Sequence, residues 1–300
     1  MSDFHMVVCV KAVPGSTEVK MDPKTNTIVR DGKQAVINPF DASALECALA
    51  LKDDFIGFGM DVRVTVVSMG IPATESLLRG CIARGADDAL LLTDRAFAGA
   101  DTLATSYALA TAIKKIGDYD VIIGGRQAID GDTAQVGPQV AEKLGLTQVT
   151  YAEEILNVDK AAKKITVKRH IDGGVETVEA PLPIVITVNG SAAPCRPRNA
   201  KLVQKYKRAL GAQEKAAITK EGAELAYAGL YEKYPYLNIT EWSVADVNGD
   251  LAQCGLSGSP TKVKTIQNIS FQAKESKTLT GSDKDVEDLI VELLANHTIG

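Results

Sequence analysis

Residues 121–138 read VIIGGRQAIDGDTAQVGP. The first three are apolar and β-branched, which is typical of a buried parallel strand. A glycine-containing turn follows them and leads into a helix that we predict from about Asp132 to Leu144. This order of strand, turn and helix predicts one unit of an α/β sheet. Because ligands of open α/β sheets bind outside the carboxyl ends of the strands, the turn is also a candidate binding site.

The same alternation of strand and helix extends to the amino terminus. Three further apolar runs, each typical of a strand, cover residues 6–10, 62–67 and 89–92. Helical stretches are predicted at residues 41–52, 74–84 and 101–116, and the first begins with a capping-box pattern at Ser43 and Glu46. This order predicts an α/β fold with a doubly wound, mostly parallel, Rossmann-like sheet and right-handed crossovers.

Two hairpins and one more strand are predicted outside this alternation. Residues 164–169 and 175–179 flank the turn Asp172-Gly173-Gly174, an arrangement typical of a β-hairpin. The apolar run at residues 184–188 predicts a buried strand that joins the main sheet. A smaller hairpin is predicted after the first strand, within residues 19–29.

The C-terminal region has a different composition. Residues 196–220 hold eight basic side chains and one acidic residue, and residues 227–242 hold five of the fifteen aromatic residues. These five are Tyr227, Tyr231, Tyr234, Tyr236 and Trp242. An amphipathic helix is predicted at residues 282–296, capped by Ser282. We therefore predict a nucleotide-binding α/β domain at 1–190 and an extended arm at 191–300 that packs on a partner subunit. The alternative is a tail folded back on its own core.

Composition argues against several classes of protein. With 33 basic and 38 acidic residues the net charge is −5, which disfavours nucleic-acid binding, and no apolar run reaches the roughly 18 residues that predict a membrane span. No signal peptide is readable. The five cysteines form no C-x-x-C pattern and the three histidines are scattered, so we predict no metal site and free thiols in a reducing cytoplasm.

Neither a catalytic constellation nor a standard nucleotide motif occurs. The sequence contains no G-x-S-x-G, no P-loop and no G-x-G-x-x-G after the first strand. We therefore predict no catalytic residue, leave open whether the protein is an enzyme, and expect any chemistry to come from a cofactor.

Three segments are candidates for binding a nucleotide. In the first, the backbone N–H groups of residues 133–136 would lie at a helix N-terminus and accept a phosphate; alternatively Asp130, Asp132 and Thr133 only cap the helix. The second is Asn38-Pro39-Phe40-Asp41, where the alternative is an Asx turn with an N-cap. The third is Val67-Ser68-Met69-Gly70, where backbone groups would contact the edge of an adenine ring. The alternative is that this segment only ends a strand.

Together these pieces resemble the β subunit of electron transfer flavoproteins. The resemblance rests on Val8 to Pro14, Asn38 to Asp41, Val67 to Gly70, Gly125 to Gln135 and the hairpin motif from Lys168 to Glu176, and it covers about residues 4–208. It implies an αβ heterodimer that carries electrons between dehydrogenases and a second acceptor. It also implies a set of cofactor-binding residues, which are Cys9, Lys11, Ala12, Asn38, Phe40, Asp41, Met69, Gly125, Arg126, Gln127, Ala128, Asp130, Gly131, Asp132, Thr133, Ala134, Gln135 and Val136.

Within this family the sequence is more similar to flavin-bifurcating members. Gly131 and Ala134 are small where ordinary members carry bulkier residues, which favours a pyrophosphate and hence FAD at this site. Such members take electrons from NADH and pass one to ferredoxin or flavodoxin. The other goes, through the α-subunit FAD, to a flavin-dependent dehydrogenase. In ordinary members a leucine-proline pair docks on acyl-CoA dehydrogenases, and here Asn199-Ala200 stands in its place. The resemblance therefore leaves open whether the partner is an acyl-CoA dehydrogenase or a different flavin-dependent dehydrogenase.

Two alternatives remain open from the sequence. One is an ordinary, non-bifurcating β subunit that holds AMP as a structural nucleotide. The other is a non-redox nucleotide-binding regulatory protein with the same fold.

Overall fold

The structure is a computed structural model that describes residues 2–15, 21–22, 27–28, 35–207, 209–220, 222, 228–234, 237–262, 276–296 and 298–299. Contacts within the chain divide it into two compact units, Met1–Lys262 and Val263–Gly300.

Strands and α-helices alternate in the middle of the first unit, over residues 35–159. The strands are β1 (Phe4–Cys9), β2 (Ala12–Pro14), β3 (Met21–Asp22), β4 (Thr27–Ile28), β5 (Ala35–Ile37), β6 (Val62–Met69), β7 (Asp88–Leu92), β8 (Val121–Gly125), β9 (Thr147–Asp159), β10 (Lys164–Ile171), β11 (Gly174–Pro181), β12 (Ile184–Val188) and β13 (Thr240–Trp242). The helices are α1 (Pro39–Gly57), α2 (Glu75–Ile82), α3 (Thr102–Ile116), α4 (Val136–Leu144), α5 (Ala200–Tyr206), α6 (Ala212–Lys220) and α7 (Ala228–Lys233), and the second unit contains α8 (Asp283–Ala295).

The main sheet has the order β11-β10-β9-β12-β8-β1-β6-β7-β13. All neighbours from β9 to β13 pair in parallel, and β10 and β11 add an antiparallel hairpin at one edge. From β1 the chain builds outward through β6 and β7, then returns to the other side of β1 with β8. The predicted doubly wound, mostly parallel sheet with its hairpin is confirmed, and the strand order reverses between β1 and β8.

Apolar residues cover both faces of this sheet. In β1, Met6 and Val8 pack in one core cluster with Leu45 of α1, whereas Val7 packs in a second cluster with Ile113 of α3. Since successive strand residues point to opposite faces, a strand buried on both faces needs a continuous apolar run, and β1 supplies one.

Two predicted helix starts are wrong, each for a local reason. Helix α1 begins at Pro39 with Asn38 at the N-cap position, so the Ser43–Glu46 pattern lies inside the helix and caps nothing. Proline is well suited to a first helical position because its φ is already fixed near the helical value. Helix α4 begins at Val136 and not at Asp132, because Asp132 and Ala134 have left-handed φ values of +56° and +53° that interrupt a helix.

Two strands of the main sheet were not predicted, nor was the short pair β2 and β5, and one strand of the main sheet changes the interpretation of the arm. Strand β9 extends the predicted hairpin to three strands, and β13 pairs with β7 at the far edge of the sheet. Beyond β13, Val244, Val247 and Cys254 are buried in the second core cluster. This part of the predicted arm therefore covers the chain's own core, because a short parallel strand anchors it there.

The rest of the predicted arm is partly beyond what the structure describes. Tyr227, Tyr236 and Arg208 lie outside the described residues, as do most of residues 19–29 of the small hairpin, of which β3 and β4 form a pair. In the second unit, the Ser282 side chain caps α8 as predicted, accepting a hydrogen bond from the Asp285 backbone N–H. Packing of residues 191–300 on a partner subunit stays a prediction.

Strand β13 contacts α2 through a pair of carboxyl groups, Glu241 of β13 and Glu75 of α2. Glu75 is buried and forms an ion pair with Arg79, with 2.7 Å between Oε2 and Nη2. Burial, aided by a hydrogen bond to Glu75, raises the pKa of the Glu241 carboxyl to about 7, although Lys215 and Arg79 act in the opposite direction. Glu241 thus favours its protonated form in the folded chain.

This pair predicts a pH-dependent stability. A carboxyl whose pKa rises on folding destabilises the fold as pH increases from the unfolded value of about 4.5 to about 7. We expect Glu241→Gln, which removes the charge, to reduce the loss of stability between pH 5 and pH 8 by about 1 kcal/mol, a value discounted for solvent screening. Urea unfolding at both pH values measures this, with Glu142→Gln on the exposed face of α4 as the control. Equal pH dependence in the wild type and Glu241→Gln would contradict it.

Candidate nucleotide-binding site

Three segments meet where the strand order reverses. Residues 9–12 leave the carboxyl end of β1, the Asn38–Asp41 turn begins α1, and residues 125–135 leave the carboxyl end of β8. Strands β1 and β8 pair directly, with Cys9 opposite Gly124. This is the position at which open α/β sheets bind ligands.

Asp41 braces the two strand ends. Its Oδ2 accepts a hydrogen bond from the Lys11 backbone N–H at 2.8 Å, and its Oδ1 accepts one from the Gly125 N–H at 2.9 Å. Burial raises the pKa of Asp41 to about 7, against the lowering effect of these hydrogen bonds. The side chain thus has a structural role that the sequence did not indicate. The contact between Asp41 and a ribose hydroxyl stays a prediction.

Asn38 anchors the loop that follows β8. The fully buried side chain donates from Nδ2 to the Gln127 carbonyl oxygen at 2.8 Å and accepts at Oδ1 from the Ile129 N–H at 3.2 Å. It forms no side-chain cap on α1, although it occupies the N-cap position. The asparagine therefore connects two candidate segments that are about 90 residues apart in sequence.

The loop itself is held by further polar contacts. Lys11 Nζ lies 2.5 Å from Asp130 Oδ1, and the Gln127 side-chain amide donates to Asp132. The backbone N–H groups of Gly131 and Asp132 both donate to the Ala128 carbonyl oxygen. These contacts turn the chain back on itself just before α4.

The backbone N–H groups of residues 133–136 have no hydrogen-bond partner among the residues that the structure describes. The N-cap residue of α4 is Gln135, whose side chain forms no capping hydrogen bond, and no other described side chain accepts one from these N–H groups. The alternative in which Asp130, Asp132 and Thr133 only cap the helix is therefore wrong. Unpaired N–H groups at a helix N-terminus are donors suited to an anion. A side chain added at Gly131 would meet no atom within 4 Å, so the space beside the loop is open.

The remaining predicted residues lie on β1, β2, β6, the start of α1 and the turns that follow β1 and β8. Ala12 begins β2, beside Ile37 of β5, and Met69 ends β6, the other neighbour of β1. Burial raises the pKa of the Cys9 thiol to about 12, with the Asp41 carboxylate as a smaller cause, so Cys9 stays protonated and is no nucleophile. Phe40 and Arg126 contact each other across the site, with 5.4 Å between the guanidinium carbon and the ring centroid.

Two polar features of this sheet edge were not predicted. Tyr151 of β9 lies against the Arg126 guanidinium, and the Ser68 hydroxyl is buried without a hydrogen-bond partner in the described part of the chain. No local pattern marks Tyr151, whereas Ser68 lies in the third candidate segment, for which only backbone contacts were predicted. Tyr151 reaches Arg126 only because β9 lies beside β12, and β9 itself was not predicted.

Neither a candidate metal centre nor a candidate membrane-spanning helix is found in the described ranges. No cluster of three or more histidine, cysteine, aspartate or glutamate side chains there is placed to hold a metal ion. None of the described helices has the length and apolar character required to cross a bilayer.

Comparison with known proteins agrees with the fold. Residues 25–224 match the electron transfer flavoprotein domain family. The chain is 41% identical to Protein FixA of Azorhizobium caulinodans, covering 96% of this chain and 92% of that protein. It is 42% identical to the electron transfer flavoprotein subunit beta of Clostridium acetobutylicum, covering 87% and 86%. It is 38% identical to the caffeyl-CoA reductase-Etf complex subunit CarD of Acetobacterium woodii, covering 99% and 100%. The chain therefore belongs to the electron transfer flavoprotein family, as a β-type subunit that takes part in electron transfer.

Proposed function

We propose that this β subunit binds FAD at the carboxyl ends of β1 and β8. In a heterodimer with an electron transfer flavoprotein α subunit, the site takes an electron pair from NADH. One electron goes to ferredoxin or flavodoxin and the other, through the α-subunit FAD, to a flavin-dependent dehydrogenase. The five free cysteines agree with a reducing cytoplasm as the place of this reaction.

The observation that carries this proposal is the set of unpaired N–H groups at residues 133–136 beside the open space at Gly131. A pyrophosphate needs several convergent donors and room to pass the helix end, and this loop supplies both. The adenosine half would lie against Cys9, Lys11 and Ala12, the Asn38–Asp41 turn, and Met69. The bound flavin would supply the redox chemistry, while the protein binds and orients it.

The name of one relative supports one class of partner. The Acetobacterium woodii protein is named as a subunit of a complex with caffeyl-CoA reductase, which supports an oxidoreductase of CoA esters as a partner of this chain. Asn199, which caps α5, begins the segment where the sequence departs from the pattern that docks on acyl-CoA dehydrogenases. We therefore leave open which dehydrogenase it is.

The flavin content of the heterodimer tests this function. We expect two FAD per purified αβ complex, and we expect NADH to bleach the absorbance of the β-site flavin. Hydride transfer to a flavin requires close stacking and no protein acid or base, so the lack of a catalytic triad is compatible with this result. Absorbance spectra and nucleotide release on denaturation measure both quantities.

Other outcomes separate the alternatives. One FAD with one AMP would identify an ordinary β subunit with a structural nucleotide. A complex with two flavins that NADH fails to reduce would rule out the bifurcating function. A complex without flavin would support a nucleotide-binding regulatory role.

A further inference from the structure

Arg126 is held between two aromatic rings. Its backbone N–H donates to the Val188 carbonyl oxygen at 2.8 Å, which fixes the start of the loop to β12. Its guanidinium carbon lies 5.4 Å from the Phe40 ring centroid and 4.9 Å from the Tyr151 ring centroid. Aromatic faces attract a guanidinium, so these two rings restrict the position of the Arg126 guanidinium group.

The charge of Arg126 has no counterion in the described part of the chain. Its Nε is buried without a hydrogen-bond partner there. Arg196 and Arg169 show the paired alternative, since Arg196 forms ion pairs with Glu46 and Asp53, and Arg169 forms one with Glu176. A partly buried cation is costly unless an anion pairs with it, so the site is suited to a ligand that brings a negative charge.

Tyr151 is turned toward Arg126 by an irregularity of β9. Its φ is +57°, in the left-handed region that tyrosine rarely adopts. The register between β12 and β9 shifts at this point, between Ile186 and Val188. Such bulges re-aim a side chain, and strain of this kind concentrates at functional sites. The Phe40 ring is confined as well, because a Cβ at Gly190 would lie 3.0 Å from its Cε1.

We propose that Arg126 binds a phosphate oxygen of the nucleotide, and that Tyr151 and Phe40 are positioning residues that present its guanidinium as an unpaired cation. This inference rests on the proposed function, in which the site takes an adenine nucleotide. Phosphate is the anion that the neighbouring N–H groups of residues 133–136 are suited to bind, and the planar guanidinium fork matches its geometry.

The first test compares a nucleotide with and without a phosphate. In the αβ complex freed of bound nucleotide, we expect Arg126→Gln to weaken AMP binding about tenfold, as loss of a charge-assisted hydrogen bond would. Adenosine binding should change less than about twofold, since adenosine has no phosphate. Calorimetric titration measures both. An equal loss for AMP and adenosine, or no loss for AMP, would overturn the assignment to phosphate.

The second test separates positioning by Tyr151 from a structural role. Tyr151→Phe keeps the ring and should bind AMP like the wild type. Tyr151→Gly removes the ring but suits the left-handed backbone, so we expect unchanged or higher thermal stability together with AMP binding weakened about threefold and adenosine binding unchanged. Tyr151→Asn, which tolerates this φ, serves as a second ring-free variant. AMP affinity equal to the wild type in both ring-free variants would refute the positioning role.

The wild-type complex distinguishes failure of this inference from failure of the proposed function. If the wild type binds AMP and Arg126→Gln binds it equally well, only the role of Arg126 is refuted. If the wild type binds neither AMP nor FAD at its β subunit, the nucleotide site itself is refuted.

Discussion

Gly125→Ala is expected to abolish nucleotide binding at the β subunit and to lower the free energy of unfolding by about 3 kcal/mol. A Cβ at this position would lie 2.3 Å from Asp41 Oδ1, 2.6 Å from Phe40 Cβ and 2.7 Å from the Asp41 backbone nitrogen. These atoms belong to the first turn of α1, which cannot move without disturbing its packing on the sheet. The substitution would also break the brace that joins Asp41 to the Gly125 N–H. Urea unfolding and nucleotide content of the purified complex measure the two effects.

Gly131 offers a matched control in the same loop. Its added Cβ would meet no atom within 4 Å, and its backbone is outside the left-handed region. We therefore expect Gly131→Ala to unfold like the wild type, whereas Gly131→Val lowers only the occupancy of the nucleotide. Equal destabilisation by Gly125→Ala and Gly131→Ala would show that the effect is a general cost of replacing glycine and not a collision with α1.

The sheet could be predicted because its signals are local. Each parallel strand near the centre is a short apolar run, and β1, with Met6, Val7 and Val8 buried against two different clusters, is typical of them. Strand β9 lacks this signal, since Val149 and Ala152 are its only buried residues and it contains a bulge near Tyr151. Strand β13 has only three residues, too few for any periodicity.

The position of the loop was predicted, but its internal structure was not. The sequence favoured a helix from Asp132, and propensity within the loop gives no reason against it. Long-range contacts prevent a helix from starting at Asp132. Asn38 accepts a hydrogen bond from the Ile129 N–H, and Lys11 forms an ion pair with Asp130. The chain must then turn through left-handed residues before α4 can begin.

The role of Asp41 illustrates the same limit. Acidic residues near a helix start are common, so capping and ribose binding were the natural interpretations of this side chain. Its actual partners are two backbone N–H groups on different strands, at Lys11 and Gly125. No sequence pattern relates these positions. Only the reversal of strand order between β1 and β8 brings them together.

Asn38→Ala is expected to weaken nucleotide binding at least about tenfold and to lower the free energy of unfolding by about 2 kcal/mol. The variant leaves the Gln127 carbonyl and the Ile129 N–H without the partners that define the loop. Asn38→Asp hardly changes the shape of the side chain, but we still expect it to lower both nucleotide affinity and the free energy of unfolding. A carboxylate oxygen would face the Gln127 carbonyl oxygen, to which Nδ2 now donates a hydrogen bond. That places two acceptors and a charge in a fully buried position.

The control for Asn38 is another asparagine with two backbone partners. Asn199 accepts hydrogen bonds from the Lys201 and Leu202 N–H groups at the start of α5, where its side chain is exposed. Asn199→Ala removes a helix cap, so we expect it to cost about 1 kcal/mol of stability and to leave nucleotide affinity unchanged. Titration of AMP into the αβ complex compares the two variants. If they bind AMP equally well, the unpaired N–H groups of residues 133–136 are positioned without Asn38, and the loop is held by Lys11 and Asp130 instead.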